Sequence, residues 1–358
     1  MIKYADLYAE YRECQRAVDT AMSVCILNSS FINGPDVYGF EREWADHVGS
    51  KSCAGVSSGT SALMLALATL NITPGDEVIV PSMSFISTAE VVSQLGATPV
   101  FVDIDRYHLL DIDQIGSAIT PRTKAIIFVD LYGQTLDIKA LYQAAGGIPL
   151  IRDAAQSSGA EYLDGSAEPF VHATCWSFYP GKNLSAMGDA GAVTGSQTMC
   201  EQVRFLRDHG RKEKYVHEAM GWNERLDGLQ AAVLRAKLPW LTIWNERRQR
   251  NAAIYRQYLY DAVELPCEHP KSTHVYNQFV IQLDRRDDLK KFLADDNIES
   301  GIQFPLGMHQ QPVYQHLGYC LPQTERLAAR CLSLPVHAQL TEDQVRYIAS
   351  AVLDFIAG

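Results

Sequence analysis

Glu77-Val78-Ile79-Val80-Pro81, Pro99-Val100-Phe101-Val102-Asp103, Ala125-Ile126-Ile127-Phe128-Val129 and Pro149-Leu150-Ile151 are short apolar runs that recur between Ser52 and about Thr194. They are rich in Val and Ile and show no apolar–polar alternation, the pattern of strands covered on both faces. Helix-like stretches fit between them at Ser61 to Leu70, Ser87 to Leu95 and Ile138 to Ala145. This alternation predicts an α/β fold: a large domain whose mostly parallel central sheet is sandwiched by helices. In such a sheet, ligands gather beyond the carboxyl ends of the strands.

After Gly221 the character changes. Leu226, Leu229, Val233, Leu234 and Leu238 recur at helical spacing in a stretch reaching Asp261, with Pro239 as a break because proline lacks the N–H a helix interior needs. From about Pro266 onward the chain reads as a strand (Gln278 to Gln282), a helix, an irregular stretch from Gly301 to Pro322, and two closing helices. The organisation expected is a large domain over residues 1–240, including an N-terminal helix, and a smaller C-terminal α+β domain over 241–358.

The 358 residues are 47% apolar, enough to bury a full core. A net charge of −11 argues against nucleic acid as a partner, since phosphate backbones are bound by clustered Lys and Arg. The most basic stretch, Arg204 to Lys214, is interleaved with Asp208 and Glu213 and reads as a solvated helix end and loop. The eight cysteines form no C-x-x-C pair and no zinc-like cluster, so reduced core thiols and no metal are expected. The N-terminus lacks a signal-peptide core and no apolar run is long enough to span a bilayer, so a cytoplasmic protein without membrane contact is expected.

The chemistry-bearing residues cluster near predicted strand ends. Lys182 closes the apolar run Trp176-Ser177-Phe178-Tyr179-Pro180-Gly181-Lys182, ahead of Gly188-Asp189-Ala190-Gly191. A lysine amine in a partly desolvated pocket loses proton affinity, becomes nucleophilic and can form a Schiff base, although many lysines beside glycine loops are merely solvated. Ser57-Ser58-Gly59-Thr60-Ser61 opens a helix, and its free amides and hydroxyls suit a phosphate, or simply cap the helix through Ser58 or Thr60. Asp153 follows Pro149-Leu150-Ile151 at a buried strand tip, where a carboxylate needs a cation such as a protonated pyridine nitrogen, or caps the next turn. Gln156 can donate to a phenolate oxygen or be a surface amide. Phe85 can stack on an aromatic ring or belong to the core. A phosphate cradle, an aromatic platform, an acid for a ring nitrogen and an imine-forming lysine together describe pyridoxal phosphate chemistry.

These residues resemble the DegT-type sugar aminotransferases, a family of fold type I pyridoxal phosphate enzymes, from about Asn33 to the C-terminus. The likeness rests on Ser58-Gly59-Thr60-Ser61-Ala62-Leu63, Asp153-Ala154-Ala155-Gln156, Ser177 to Leu184 with Gly188-Asp189, His209-Gly210-Arg211, and Gly221-Trp222-Asn223-Glu224-Arg225-Leu226-Asp227. It implies that Lys182 is the catalytic lysine that carries the cofactor and shuttles the proton. Asp153 would pair with the pyridine nitrogen, Phe85 would stack on the ring and Gln156 would approach its phenolic oxygen. Gly59, Thr60, Ser61 and Ser177 would hold the phosphate, joined by Asn223 from a neighbouring subunit. A homodimer with shared active sites follows.

The implied reaction moves an amino group from an amino acid, with L-glutamate the expected donor, to a keto sugar. Gln156, Tyr179-Pro180-Gly181 and Leu131-Tyr132-Gly133-Gln134 look most like enzymes for nucleotide-linked 3-keto sugars. A 4-keto nucleotide sugar, a free keto-cyclitol and a pyridoxal phosphate lyase are the competing readings, and a cofactor-binding sensor is the reading outside catalysis. Family members serve surface polysaccharides and glycosylated natural products. The chain departs from the family pattern at Gln303-Phe304-Pro305, where His-Tyr-Pro is common, and at Ser158 and Ser185. Gln303 and His309 are the expected sugar-facing residues.

Overall fold

A computed structural model describes all 358 residues. Its centre is a seven-stranded sheet of β1 (Ser52–Val56), β2 (Glu77–Pro81), β3 (Thr98–Val102), β4 (Thr123–Val129), β5 (Leu150–Asp153), β6 (Ala173–Ser177) and β7 (Gly191–Gly195), in the order β1-β7-β6-β5-β4-β2-β3. β7 runs antiparallel to β1 and β6, and every other pairing is parallel.

The helices are α1 (Leu7–Leu27), α2 (Pro35–His47), α3 (Gly59–Ala68), α4 (Ser87–Gln94), α5 (Ile115–Ala118), α6 (Ile138–Ala144), α7 (Gln197–Leu206), α8 (Gly228–Lys237), α9 (Leu241–Leu259), α10 (Arg286–Asp295), α11 (Pro322–Arg330) and α12 (Glu342–Ala357). A small hairpin, β8 (Arg211–Glu213) with β9 (Val216–His217), follows α7, and β10 (Phe279–Gln282) pairs with β11 (Cys331–Leu334) near the C-terminus.

The unalternating Val/Ile runs are explained by burial on both faces. Val78, Val80, Ala125 and Ile127 pack with Leu63, Leu67, Val91 and Val203 of α3, α4 and α7. Ile79, Ile126 and Phe128, one residue out of phase, pack on the opposite face with Ile138 and Leu141 of α6. At the β1–β7–β6 end, Trp44 meets Trp176 and Phe178 edge-on at 5.1 Å between ring centroids, fixing α2 to the sheet. A separate core joins Ala252, Tyr255 and Leu259 of α9 to Phe279, Ile281, Leu289, Leu332, Val345 and Val352.

The helical stretch after Gly221 breaks where proline requires it: α8 ends at Lys237, Leu238–Trp240 form a 3-10 turn, and α9 begins at Leu241. β1, β7, the β8–β9 hairpin and β11 escape the sequence reading. β7, Gly191-Ala192-Val193-Thr194-Gly195, is too poor in bulky residues to signal a strand, and β11 leaves α11 without any intervening turn residue. The basic stretch is also only partly solvated. Arg207 is buried and pairs with Glu41 at 2.6 Å, and Arg204 reaches the other oxygen of the same carboxylate at 3.1 Å. Six cysteines are buried as expected, while Cys267 and Cys320 are exposed.

A buried ion pair ties the N-terminal helix to the rest. Glu10 of α1 meets Lys237 of α8 at 2.8 Å, and Ser185 donates to Glu10 at 2.7 Å and accepts from Lys237 at 2.9 Å. Ser185 therefore completes a polar network rather than merely replacing a glycine. Removing one partner strands a buried charge, at a cost of about 3–5 kcal/mol, whereas apolar replacement of both is close to neutral. Glu10→Ala should lower unfolding free energy by about that amount, and Glu10→Leu combined with Lys237→Met should recover most of it, as read by urea denaturation.

Candidate active site

Beyond the carboxyl ends of the parallel strands lies a cavity of about 660 Å3. Gly59, Thr60, Phe85 and Asp153 line it, together with Gln156, Ser177, Lys182 and Gln303. The chain brings these residues together from positions up to 244 apart in sequence, counting from Gly59 to Gln303.

The phosphate-like turn is built by close approach. Ser58 caps α3 by accepting the Ser61 N–H at 3.1 Å, so the amides of Gly59 and Thr60 stand in the first turn, where a helix has no internal acceptors. A Cβ on Gly59 would lie 2.7 Å from the Ser177 Cβ, and one on Gly191 would lie 2.3 Å from the Ser58 carbonyl oxygen. Only glycine at both places lets the helix start sit against β6 and β7.

Asp153 is the last residue of β5 and is buried. One carboxylate oxygen accepts the Ala155 N–H at 3.1 Å and the other accepts the Thr88 hydroxyl at 3.2 Å. Burial pushes its pKa up to about 6, despite those bonds and the nearby Lys182 charge. Lys182 is half-buried on the loop after β6, and desolvation of its amine holds it below the ordinary lysine range, opposed by Asp153. The loop is anchored on both sides of the lysine. Its own N–H donates to the Tyr179 carbonyl at 2.8 Å, and Asn183 donates to Asn245 at 2.7 Å and to the Val275 carbonyl at 2.9 Å. Such anchoring fixes where the amine can reach.

Gln156 has its orientation dictated by a neighbour. The Tyr132 backbone N–H donates to its Oε1 at 2.7 Å, which leaves the Gln156 NH2 group as the donor available to the cavity. Phe85 is 58% exposed, a ring at the cavity mouth rather than in the core. Gln303 donates to the Tyr4 hydroxyl at 3.0 Å.

Three expected residues do not join the cavity. The Ser61 hydroxyl turns to the Glu224 carboxylate at 2.6 Å and to Ser57 and Ser58, so its proton is committed within the turn. His309 is buried between Ser82, which meets its Nδ1, and Glu325, whose carboxylate lies 3.2 Å from its Nε2; it braces the 301–322 segment rather than facing the cavity. Asn223 is exposed and lies outside the cavity of its own chain, bridged to Asp208. Conversely, Thr88, Tyr4 and Arg248 border the site or its groups without any motif to announce them. Arg248 sits in Glu246-Arg247-Arg248, which reads as an ordinary polar helix face.

A half-buried lysine and a buried carboxylate at the strand ends, beside a helix N-terminus, define a fold type I pyridoxal phosphate enzyme, and solved structures agree. A crystal structure of DesV from S. venezuelae superposes with a TM-score of 0.96 at 38% identity, covering 100% of this chain and 99% of that one. The UDP-N-acetyl-3-dehydro-alpha-D-glucosamine 3-aminotransferase of Acidithiobacillus ferrooxidans is 42% identical over 98% of this chain and 97% of its own. The dTDP-3-amino-3,4,6-trideoxy-alpha-D-glucose transaminase of Streptomyces venezuelae is 39% identical over 99% and 96%. The profile of the DegT/DnrJ/EryC1/StrS aminotransferase family matches residues 13–353, and the chain belongs to that family. It is a pyridoxal phosphate-dependent sugar aminotransferase.

The raised Asp153 pKa has a consequence for stability. Between its ordinary value of 3.8 and about 6, the folded chain holds the proton more tightly than the unfolded chain, so stability falls as pH rises through that window. In the cofactor-free protein, Asp153→Asn should be more stable than wild type by about 3 kcal/mol at pH 7.5, with the gap closing toward pH 4; urea denaturation at the two pH values reads the difference.

Proposed function

We propose that this enzyme moves an amino group from L-glutamate to a nucleotide-linked 3-keto sugar, with Lys182 as its catalytic residue. The observation that carries the reading is the convergence of Lys182 and Asp153, both shifted by burial, in one cavity with the N-terminus of α3.

The residues present fit pyridoxal phosphate. Asp153 is a buried carboxylate whose one nearby cation is an amine made less basic by burial, so it calls for a further cation, which a protonated pyridine nitrogen supplies. The approach of Gly59 to Ser177, too tight for a side chain, leaves first-turn amides and a hydroxyl for a phosphate. Pyridoxal phosphate, when bound, supplies an electron sink that makes the carbon bearing the substrate nitrogen acidic.

The protein's own groups have distinct tasks. Lys182 Nζ, depressed in basicity, is the group that takes and returns the proton in both halves of the reaction. Asp153 holds the ring-nitrogen proton through a carboxylate that Thr88 and the Ala155 N–H keep in place. Gln156 Nε2 donates toward the phenolic oxygen, its carbonyl being occupied by Tyr132. Phe85, at the cavity mouth, would cover one face of the ring. Gly59, Thr60 and Ser177 hold the phosphate, with Ser61 supporting from within the turn and Asn223 contributing from a second copy.

The named activities of the 42% and 39% identical relatives support a nucleotide-linked sugar aminated at C3. A homodimer is supported by exposed apolar residues that include Leu27, Ile32, Tyr38 and Met220, several of them on or near the α1–α2 and 215–223 segments. No helix of the structure is long and apolar enough to cross a membrane, and eight free cysteines support a reducing, cytoplasmic setting. The separate core built on α9, β10, β11 and α12 supports dividing the chain near residue 240 into a cofactor-binding part and a smaller part.

Two outcomes are expected. The visible spectrum of the protein loaded with pyridoxal phosphate should shift on adding L-glutamate and shift back on adding a UDP- or dTDP-linked 3-keto sugar; a spectrum indifferent to every amino acid overturns transamination. Lys182→Ala should lose turnover by at least about 1,000-fold while its circular dichroism and unfolding midpoint stay close to wild type.

A further inference from the structure

Arg248 is a charge without a partner. It lies on α9, is 8% exposed, and lines the same cavity as Lys182. Its one hydrogen bond runs from Nη1 to the Tyr276 carbonyl at 3.2 Å, its Nε has no acceptor, and no carboxylate of the chain stands within ion-pairing distance. Burial draws its pKa down to about 10, with Glu10 and Tyr4 only partly offsetting the loss of water. Other buried arginines here are matched: Arg152 with Asp130 at 2.7 Å and Arg207 with Glu41 at 2.6 Å. A guanidinium kept dry without an anion is costly, and the fork is shaped for a carboxylate.

The surroundings supply no competing acid. The Tyr4 hydroxyl lines the cavity with Arg248, donates its proton to Gln278 and accepts from Gln303, so it adds no charge there. His337 lines it as well, with its Nδ1 unbonded and burial lowering its pKa to about 4, so it is neutral at physiological pH and adds no second charge. The one acidic side chain deep in the cavity, Asp153, is bonded to Thr88 and Ala155, and Asp189 lies at its exposed margin.

Resting on the transaminase reading above, we propose that Arg248 binds a carboxylate of the amino donor. The residue enters the cavity from α9, whereas Lys182 and Asp153 enter from the sheet, so the donor would be held between the two parts of the chain. Arg248 is thus a binding residue that selects dicarboxylic or α-carboxylate-bearing donors, and it has no part in the proton transfer.

Cofactor-loaded wild type, Arg248→Met and Arg248→Lys are compared. Glutarate, a dicarboxylate without an amino group, is titrated by calorimetry, and L-glutamate and L-glutamine are titrated through the visible spectrum. Wild type should bind glutarate. Arg248→Met should weaken glutarate binding and raise the L-glutamate concentration for half-conversion by about thirtyfold or more, with the unreacted cofactor spectrum and unfolding midpoint unchanged. Losses for both amino acids assign the α-carboxylate, and a loss for L-glutamate alone assigns the side-chain carboxylate; either supports the proposal. Arg248→Lys keeps the charge but not the fork, should fall between the two, and carries the same comparison if the Met variant unfolds. Glutarate binding equal in wild type and variant, or absent from both, overturns the subsite. A wild-type spectrum unmoved by any amino acid would instead remove the transaminase reading, while an Arg248-dependent glutarate affinity would still stand.

Discussion

At the carboxyl edge of the sheet, the Ser58–Gly59 turn lies against β6 and β7 with no room for a side chain on Gly59 or Gly191. That approach places the start of α3 and Ser177 around one space, and the geometry of the cavity follows from it. Because β7 returns antiparallel between β1 and β6, the loop carrying Lys182 is held at both ends by the strands it joins, and the Phe178 N–H bonds the Ala190 carbonyl at 2.8 Å across it. Close packing of this kind transmits small changes, since a single Cβ would have to displace backbone rather than a flexible side chain.

Around this edge, buried charges are arranged in closed sets. Asp130 accepts from Arg152 and from the Ser157 hydroxyl, Glu41 receives Arg204 and Arg207 and the Gly55 N–H, and Glu10 joins Lys237 and Ser185. The first joins the ends of β4 and β5, and the other two tie β1 and the loop after the lysine to outer helices; in each the opposite charges meet within the chain. Against that background Asp153, Lys182 and Arg248 stand apart, because their charge is not closed internally. Groups left so in a polar cavity are those whose partners arrive with ligands. The buried triad at Glu10 also explains why a serine serves at position 185, where it links α1 to the loop that follows the lysine.

Much of the architecture was legible in the chain. The Val/Ile runs at 77–81, 99–103 and 125–129 signalled doubly covered strands because parallel strands buried on both faces need no polar alternation, and Pro239 marked its break because it cannot donate in a helix interior. Lys182, Asp153, Gln156 and the Gly59 turn were legible because each follows a recognisable strand or opens a recognisable helix. β7 and β11 were not, since small residues and a direct helix-to-strand transition carry no local signal. Ser61 and His309 carried motif signals whose side chains turn elsewhere, toward Glu224 and toward Ser82 and Glu325.

The sequence by itself determined the class of fold and pointed to Lys182 and Asp153, which line one cavity, because those depend on local patterns: strand runs, glycine turns and a charged residue at a strand tip. Only the tertiary structure decided which hydroxyls and amides remain free for a ligand, which way Gln156 faces, and that Arg248 is a buried cation without an anion. Those properties depend on what the rest of the chain places within hydrogen-bonding distance, and residues such as Tyr132, Glu224 and Tyr276 reach these positions from parts of the sequence that bear no local relation to them.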